Sequence, residues 1–399
     1  MKILYVNRTP IWKPNGAERS SLNIARQIAN KNHEVECLFC VRDPNYTNQL
    51  KSSPIKVHTI YCDGDDIFSG NSKMRTWIEN NGEKYDVIHS LNSAAHVAAT
   101  EAKISSNSPL KIGTVRDYLW LCRGGGMCQF KQGCIEGDGS HIKQATCTKK
   151  MSNSKYPIPA FLAKTFKWKK QEGRIFSAIT DLDYIVSVSD FISDTLVTNG
   201  ANQKNITTIY NSVNENAYNS NPQTNSSTSL LFVGSFTPQK GIQELIQAIP
   251  LTSSNPELKL VGDGYLFKKT KKMVNDLGLK KDVTFTGRIA HKEVRKEYAN
   301  ASVVIYPSLW PEPFGRITIE AMASSTPLIA GSNGAIPEVV REWDGGLLVN
   351  PAKPDRLAKA IDHVVRNITA FRQGAKGFPE KYSVTHAANA HEELYNRVV

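Results

Sequence analysis

The chain has 399 residues, so a typical domain size of roughly 150 residues predicts two domains. Hydrophobic residues make up 40% and charged residues 22%, which is typical of a globular protein, and no run approaches the roughly 20 apolar residues of a membrane-spanning helix. The formal net charge of +12 favours partners that carry phosphate, although solvated charge spread over a large surface explains the same sum.

The first half of the sequence alternates short apolar runs with segments of helical spacing. The apolar stretch that begins with KILYVN is broken at Asn7 and Pro10, so it is too short for a secretory signal. It is typical of a buried strand. Four further strand-like runs follow in this half: HEVECLFC, DVIHSL, LKIGTV and DYIVSVS. Such alternation predicts βαβ units and a parallel sheet.

Residues 211–229 are polar and almost free of large apolar side chains, which is typical of a linker. The alternation begins again after them, from LLFVGSF to TPLIAG. We therefore predict an α/β protein with two doubly wound domains, residues 1–225 and 226–380, that face each other across a ligand-binding cleft. Residues 381–399 are predicted to form a C-terminal helix that packs back on the first domain.

Two glutamates, Glu312 and Glu320, lie in the stretch YPSLWPEPFGRITIEAMASS. The prolines on either side of Glu312 favour an extended loop after the strand ASVVIYPS. A helix is predicted to begin after Gly315, and its first N–H groups would form an anion site. Those N–H groups belong to Arg316, Ile317 and Thr318.

Either glutamate alone is equally well explained as a solvated surface residue. Together with Gly315, the strand before and the helix after, they indicate a ligand with hydroxyl groups on both sides of its phosphates. A sugar nucleotide has that shape, because a sugar lies at one end of the diphosphate and a ribose at the other.

The sequence resembles the family-4 retaining glycosyltransferases, which have the GT-B fold of two facing Rossmann-like domains. The motifs that carry the resemblance occur in the family's order over nearly the whole chain: PNGAER (14–19), IYNSVN (209–214), VGSFTPQKGI (233–242), LVGDG (260–264), VTFTGRI (283–289), YPSLWPEPFGRITIEAMA (306–323), IPEVV (336–340) and GGLLVNP (345–351). The glutamate pair is the most specific of them. The resemblance implies transfer of a hexose from a nucleoside-diphosphate sugar, with retention at the anomeric carbon and with no metal or other cofactor.

The resemblance also implies roles for single residues. Lys240 is expected to meet the diphosphate, where a cation stabilises the charge of the leaving group. A merely solvated lysine is less favoured there, because a cation is unfavourable at the start of a helix. The implied catalytic residues are Glu312, Lys240 and Arg116. The implied donor-binding residues are Gly16, Gly234, Ser235, Lys240, Arg288, Ile289, Glu312, Phe314, Gly315, Arg316, Ile317, Thr318 and Glu320.

Three positions depart from the family's pattern. Asn15 stands where the family usually has a second glycine, Ser235 where it has an arginine, and Arg116 where it often has a histidine. Arginine stays protonated and cannot act as a general base. Arg116 would bind a phosphate on the acceptor, replace the histidine as an electrostatic clamp, or mark a degenerate site. His89 and His96 are near it in sequence, and each is more typical of a core histidine than of a catalyst.

The cysteines form two groups. Cys37, Cys40 and Cys62 are predicted to be reduced and buried. The other four lie in a segment of about 120–150 that also contains His141: Cys122, Cys128, Cys134 and Cys147. A structural zinc, disulfides and reduced thiols all remain open for this segment, because its cysteine gaps are wider than zinc sites usually show. As a long loop after Arg116 it is a candidate acceptor lid.

Residues 159–176 mix lysine and arginine with aromatic side chains. An amphipathic helix that covers the first sheet explains this pattern better than a helix lying on an anionic membrane. The expected location is cytoplasmic, with a peripheral position at the inner face of the membrane as the second option.

The favoured function is sugar transfer to a glycan, a lipid-linked molecule or a small molecule in polysaccharide or glycoconjugate synthesis. The alternative is a degenerate partner that binds sugar nucleotides beside an active transferase. An epimerase of the same fold would need further acid and base groups at the sugar. Nucleic-acid binding is not expected, because no basic and aromatic recognition module is present.

Overall fold

The computed structural model describes residues 1–10, 16–42, 54–62, 68, 70–104, 108–121, 158–218 and 228–399. For residues 17, 158–166 and 168 it describes the backbone alone. The four clustered cysteines and His141 lie outside the described residues. The chain divides into two compact units: unit 1 is Met1–Asn211 with Val384–Val399, and unit 2 is Ser212–Ser383.

The strands of unit 1 are β1 (Lys2–Asn7), β2 (Glu34–Val41), β3 (Lys56–Tyr61), β4 (Val87–Ser90), β5 (Leu110–Val115), β6 (Tyr184–Ser187) and β7 (Ile206–Thr208). The strands of unit 2 are β8 (Ser229–Val233), β9 (Glu257–Val261), β10 (Val283–Gly287), β11 (Val303–Tyr306), β12 (Leu328–Gly331) and β13 (Gly346–Val349).

The helices of unit 1 are α1 (Gly16–Ala29), α2 (Asn71–Asn81), α3 (Ser93–Glu101), α4 (Ile158–Thr180), α5 (Asp190–Thr198) and, at the end of the chain, α13 (Val384–Val398). The helices of unit 2 are α6 (Ile242–Ala248), α7 (Phe267–Asp276), α8 (His291–Asn300), α9 (Arg316–Ala323), α10 (Ile336–Val340), α11 (Pro354–Arg366) and α12 (Ile368–Gly374).

Both sheets are parallel and follow the same order over six strands, and unit 1 has a seventh strand at one edge. Unit 1 has the order β3-β2-β1-β4-β5-β6-β7, and unit 2 has the order β10-β9-β8-β11-β12-β13. In each sheet the order reverses beside the first strand, between β1 and β4 and between β8 and β11. Open α/β sheets bind ligands at the carboxyl ends of the strands that flank such a reversal. The prediction of two doubly wound Rossmann-like domains is confirmed.

The central strands are apolar because helices cover both of their faces. Along β1, Ile3 and Tyr5 enter one core cluster, whereas Leu4 and Val6 enter another. Fully burying one large apolar side chain contributes about 1.5–3 kcal/mol, so a continuous apolar run is the favoured sequence for such a strand. This is why the run KILYVN was recognisable as a buried strand.

The chain passes from unit 1 to unit 2 at Asn211 and returns after Ser383. The sequence-based boundaries were 225 and 380. The last helix, α13, packs against α1 in unit 1. Its Tyr395 hydroxyl lies 2.9 Å from the Tyr5 hydroxyl of β1.

Two further predictions concern buried side chains of unit 1. Cys37, Cys40 and Cys62 are buried, and all three are free thiols. Residues 159–176 lie in the long helix α4, and the Phe176 ring stacks on Trp120 with centroids 5.5 Å apart. Within the residues described above, no helix has the length and apolar character that crossing a bilayer requires.

Candidate functional site

Three loops meet at the carboxyl edge of the unit 2 sheet, following β8, β11 and β12. The Leu309 N–H donates to the Gln239 carbonyl over 2.7 Å, which ties the β11 loop to the β8 loop. The Ala335 N–H donates to the Glu312 carbonyl over 2.9 Å, which ties the β12 loop to the β11 loop. The backbone of Glu312 is therefore held in place by the loop that follows β12.

The three loops approach one another closely at two glycines, Gly241 and Gly334. Gly241 has φ 65°, and a Cβ atom there would lie 1.9 Å from the Pro307 carbonyl oxygen. Gly334 has φ 63°, and its Cβ would lie 2.4 Å from the Glu312 nitrogen. Any larger residue would clash with backbone and would also adopt a left-handed conformation, so the close packing of the loops depends on both glycines.

Glu312 and Lys240 form an ion pair at the reversal of the strand order. Lys240 Nζ lies 2.6 Å from Glu312 Oε1, and the Ser308 hydroxyl donates to the same oxygen over 2.7 Å. The Glu312 side chain is 7% exposed and that of Lys240 is 23% exposed. A lysine ammonium has three donors, so Lys240 can hold Glu312 and still donate to a ligand.

The charge state of Glu312 follows from these neighbours. Burial acts to raise the pKa of the Glu312 carboxyl, but the charge of Lys240 and the hydrogen bonds from Lys240 and Ser308 outweigh it. The net pKa lies below the ordinary value, so Glu312 is an anion at neutral pH. An anionic carboxylate only accepts hydrogen bonds, which suits it to bind sugar hydroxyls.

Helix α9 begins at Arg316, directly after Gly315, which has φ 82°. No side chain caps this helix end. The Thr318 N–H and hydroxyl both turn back to the Gly315 carbonyl, over 2.9 and 2.7 Å. Of the three N–H groups predicted to bind an anion, that of Thr318 is therefore used within the first turn. Those of Arg316 and Ile317 precede the first intrahelical bond.

Glu320 lies one turn further along α9 and is held by other side chains of unit 2. The Tyr298 hydroxyl donates to Oε2 over 3.0 Å, and Arg316 Nη2 lies 3.4 Å from Oε1. Burial acts to raise the pKa of Glu320, but His291, Arg316 and Tyr298 together hold it below the ordinary value. Glu320 is a second buried carboxylate in its charged form.

The other predicted donor-binding residues of unit 2 lie along the same edge of the sheet. Gly234 follows β8, and its N–H donates to the Val261 carbonyl over 3.0 Å. Ser235 and Arg288 are exposed, and Ile289 is half-buried after β10. Phe314 is buried, with its ring centroid 6.1 Å from that of Tyr382.

In unit 1 the two predicted residues lie after strands of the sheet. Gly16 is the first residue of α1, the helix that follows β1. Arg116 follows β5, and its Nη1 donates to the Ser21 hydroxyl of α1 over 2.9 Å. The guanidinium of Arg116 is therefore hydrogen-bonded to the second turn of the first helix.

Sequence reasoning missed a buried polar network in unit 1. His89 Nδ1 lies 2.6 Å from the Tyr395 hydroxyl, and His89 Nε2 lies 2.7 Å from the Thr114 hydroxyl. The Tyr395 hydroxyl also reaches Tyr5. No local pattern reveals this network, since Tyr395 and His89 are 306 residues apart.

Three buried histidines of unit 1 are neutral: His89 of this network, His96 and His391. Burial is the main cause, and the charge of Arg116 adds to it in all three. The pKa of His96 falls to about 3 and that of His391 to about 4, while that of His89 lies well below its ordinary value. None of the three is a proton carrier at neutral pH.

In unit 2 the sequence analysis missed Ser308, Tyr298 and His291, which hold the two carboxylates. Ser308 lies only four residues before Glu312, at the end of the strand predicted to precede the loop. A hydroxyl so close in sequence to a predicted buried carboxylate is a signal that could have found it. Tyr298 and His291 lie on α8, and nothing in their sequence surroundings points to Glu320.

Comparisons with known proteins give a family match over part of the chain. Residues 214–375 match the family described as glycosyl transferases group 1. This range lies inside unit 2 and contains Lys240, Glu312 and Glu320. The match shows that this part of unit 2 is similar to glycosyl transferases of group 1.

Two similar curated proteins are uncharacterised glycosyltransferases of Methanocaldococcus jannaschii. One is 35% identical over 173 residues, 42% of this chain and 44% of that protein. The other is 34% identical over 232 residues, 56% of this chain and 64% of that protein. The chain therefore spans less than two thirds of the length of either relative.

The structural comparison extends over the whole chain. The crystal structure of the Anabaena protein HepE in complex with UDP has a TM-score of 0.74 and 18% sequence identity, and the match covers 100% of both chains. The fold of the protein is GT-B. At this identity the likeness establishes the fold and leaves the activity to be argued from the site.

Proposed function

We propose that the protein is a retaining glycosyltransferase that takes a sugar from a nucleoside-diphosphate sugar bound to unit 2. The observation that carries the proposal is the ion pair of half-buried Lys240 with buried Glu312 at the reversal of the strand order. A cation there can meet the diphosphate while the anion accepts hydrogen bonds from the sugar. The family match over residues 214–375 covers this part of the chain.

The transfer breaks the bond between the anomeric carbon and the diphosphate, so negative charge develops on the leaving group. Lys240 and the N–H groups of Arg316 and Ile317 would stabilise that charge. Interactions that strengthen as the bond breaks lower the barrier, whereas equal binding of ground state and transition state does not. A lysine and a helix end supply this stabilisation without a metal ion, which is why we propose that none is required.

The remaining residues would fix the donor. Glu312 would accept hydrogen bonds from the sugar and Glu320 from the ribose. Gly234 and Ser235 would approach the phosphates, and the backbone of Arg288 and Ile289 would meet the base. Thr318, Gly315 and Phe314 would shape the loop that presents Glu312. In unit 1 we propose that Gly16 and Arg116 serve the acceptor and the transferred sugar.

The acceptor is proposed to be a glycan, a lipid-linked molecule or a small molecule. A lipid-linked acceptor would place the enzyme on the cytoplasmic face of a membrane, and the net charge of +12 is compatible with an anionic surface. Retention at the anomeric carbon follows from the family resemblance.

A second candidate is a partner protein that binds sugar nucleotides and does not turn them over. Ser235 favours it, because this exposed serine stands where the related enzymes usually carry a second cation for the diphosphate. With Lys240 alone on the β8 loop, the leaving group would be less well stabilised. Binding and turnover must therefore be measured separately.

The test uses the full chain with a panel of UDP- and GDP-sugars. Thermal unfolding with and without each compound measures binding, and mass spectrometry of the products measures hydrolysis and transfer. Glu312→Gln should lower turnover by about a hundredfold or more. Glu293→Gln, which changes an exposed glutamate of unit 2, is the matched control and should leave turnover unchanged.

Three outcomes are informative. Turnover that depends on Glu312 supports the enzyme. Donor binding without turnover of any sugar nucleotide supports the partner protein and rejects the enzyme. If no sugar nucleotide raises the unfolding temperature of the folded protein, both candidates are wrong.

A further inference from the structure

A lysine-rich surface lies on unit 2 along helix α7 and the turn that follows it. Its six lysines are all exposed: Lys268, Lys269, Lys271, Lys272, Lys280 and Lys281. We call these six residues the lysine patch. Residues 263–282 contain three aspartates and no arginine, so this segment has a net charge of +3.

The structure gives α7 two distinct faces. Thr270 and Val274 are buried, and Val274 belongs to a core cluster of unit 2. With 3.6 residues per turn, the exposed residues Lys268, Lys269 and Lys272 lie on the opposite side of the helix. Lys271 is exposed at the margin between the two sides, with its Nζ 4.9 Å from the centroid of the Phe267 ring. A flat anionic surface could therefore meet Lys268, Lys269 and Lys272 at once.

Two large apolar side chains are exposed at the two ends of this helix. Tyr265 precedes α7 and is 59% exposed, and Leu277 follows it and is 42% exposed. Large apolar side chains exposed to this degree are few in the described residues, and these two flank the lysine patch. A cationic helix with exposed apolar side chains beside it combines the two features by which a surface segment binds an anionic bilayer.

We propose that the lysine patch, with Tyr265 and Leu277, is a docking surface for an anionic lipid bilayer. Lysines near such a bilayer are attracted by its surface potential, and the attraction needs no fixed geometry. Tyrosine and leucine side chains enter the boundary between headgroups and acyl chains. The docking adds a property to the protein that does not depend on the sugar-transfer reaction.

The composition of the patch favours lipid over nucleic acid. Lysine binds phosphate as a point charge, whereas arginine gives the bidentate contacts that favour nucleic-acid recognition. Single-stranded nucleic acids also bind through aromatic rings on which bases stack in succession. Here one tyrosine and one leucine lie at opposite ends of the helix, so the patch has no row of aromatic rings on which bases could stack.

The surface differs from the one that the sequence suggested. The basic and aromatic residues of 159–176 lie in α4 of unit 1. The lysine patch lies in unit 2, so variants of the patch separate the two possible attachment sites.

The test is sedimentation of the full chain with vesicles of phosphatidylcholine containing about one third phosphatidylglycerol, against vesicles of phosphatidylcholine alone. The wild-type protein should bind the anionic vesicles, and raising the salt from about 0.1 M to about 0.5 M should weaken binding strongly. Replacing Lys268, Lys269, Lys271 and Lys272 with glutamine should weaken it by about fivefold for each lysine removed. The double variant Tyr265→Ser with Leu277→Ser should remove the part of the binding that persists at high salt.

The matched control removes four exposed lysines from other parts of unit 2: Lys292, Lys353, Lys359 and Lys376. This variant has the same net charge as the patch variant and should retain most of the vesicle binding. Equal losses of vesicle binding in the two variants would show that only the net charge of the protein matters, and this would overturn the proposal. Unchanged binding of the patch variant would show that another surface binds the vesicles, and this would overturn the proposal. Tighter binding to duplex or single-stranded nucleic acid than to the vesicles would also overturn it.

Discussion

At the point where its strand order reverses, unit 2 pairs half-buried Lys240 with buried Glu312, whereas unit 1 buries a network of imidazole and phenol side chains around His89. The two sheets share one strand order over six strands. The same topology therefore buries a carboxylate at this point in one unit and neutral imidazole and phenol groups in the other.

This difference shows how topology and chemistry are separated in the molecule. In unit 2 nearby cations and hydrogen-bond donors offset the cost of burying Glu312 and Glu320, so these two carboxylates remain ionised away from water. In unit 1 burial keeps His89, His96 and His391 uncharged, and Arg116 after β5 adds to the cost of charging them. The strand order fixes where a ligand can bind, and the buried side chains decide which kind of group the edge can hold.

The first prediction, with the largest expected effect, is that the two units lose stability at different pH values in acid. The folded pKa values of the three histidines lie below the unfolded value of about 6.5, so below that pH the unfolded chain binds more protons and stability falls. Each histidine should cost up to about 3 kcal/mol by a pH of about 4. The carboxylates of unit 2 lose their contribution only below their unfolded pKa of about 4.3.

Hydrogen exchange followed by mass spectrometry between pH 7 and pH 4 resolves the two units. Amides of β1, β4 and β5 should lose protection at a higher pH than those of β8 and β11. His391→Gln should reduce the acid loss in unit 1 by about 3 kcal/mol. Simultaneous loss of protection in both units would show that the histidines do not set the acid response.

The second prediction concerns the packing of the unit 2 loops. Gly241→Ala places a Cβ atom 1.9 Å from the Pro307 carbonyl oxygen, so the β8 and β11 loops must move apart. We expect a loss of at least about 4 kcal/mol of unfolding free energy, measured by denaturant titration. Gly278→Ala is the control: its φ of 73° is similar, but no atom lies within 4 Å of the added Cβ, and it should cost about 1–2 kcal/mol. Equal costs would mean that backbone conformation alone accounts for Gly241.

The sequence predicted what depends on short-range pattern. The apolar runs gave the parallel strands, because buried parallel strands are apolar on both faces. Pro311, Pro313 and Gly315 predicted the loop that presents Glu312 and the start of α9, because their backbone restrictions are local. Lys240 came from the family resemblance, and the structure places its ammonium beside Glu312.

What the sequence did not predict depends on contacts between distant residues. The partners of Glu320 come from α8, and Tyr395 reaches His89 across 306 positions. The Thr318 N–H was predicted to face an anion, but it closes the first turn of α9 on Gly315. That choice is made by the geometry of the helix end, which residue types alone do not specify.

The third prediction tests the ion pair that defines the unit 2 edge. Lys240→Met leaves the Glu312 carboxylate buried without its cation, and we expect a loss of about 3 kcal/mol in denaturant titrations. Glu312→Gln in the same chain removes the orphaned charge, so the double variant should be more stable than Lys240→Met alone. A double variant whose loss equals the sum of the two single losses would show that the two side chains are not coupled.

The last prediction compares one buried tyrosine from each unit. The Tyr298 hydroxyl donates to the charged Glu320, whereas the Tyr395 hydroxyl bonds with neutral His89 and Tyr5. Hydrogen bonds to charged groups contribute more, so Tyr298→Phe should cost about 2 kcal/mol and Tyr395→Phe about 1 kcal/mol at neutral pH.

Acid should remove this difference, because Tyr298 helps to hold the folded pKa of Glu320 below its ordinary value. The extra cost of Tyr298→Phe should be fully present above the unfolded pKa of about 4.3 and should fade as Glu320 is protonated in both states. Denaturant titrations at neutral pH and at the lowest pH where the protein stays folded measure it. If the two substitutions cost the same at neutral pH, or if the difference persists after Glu320 is protonated, the charge of Glu320 is not what distinguishes the two edges.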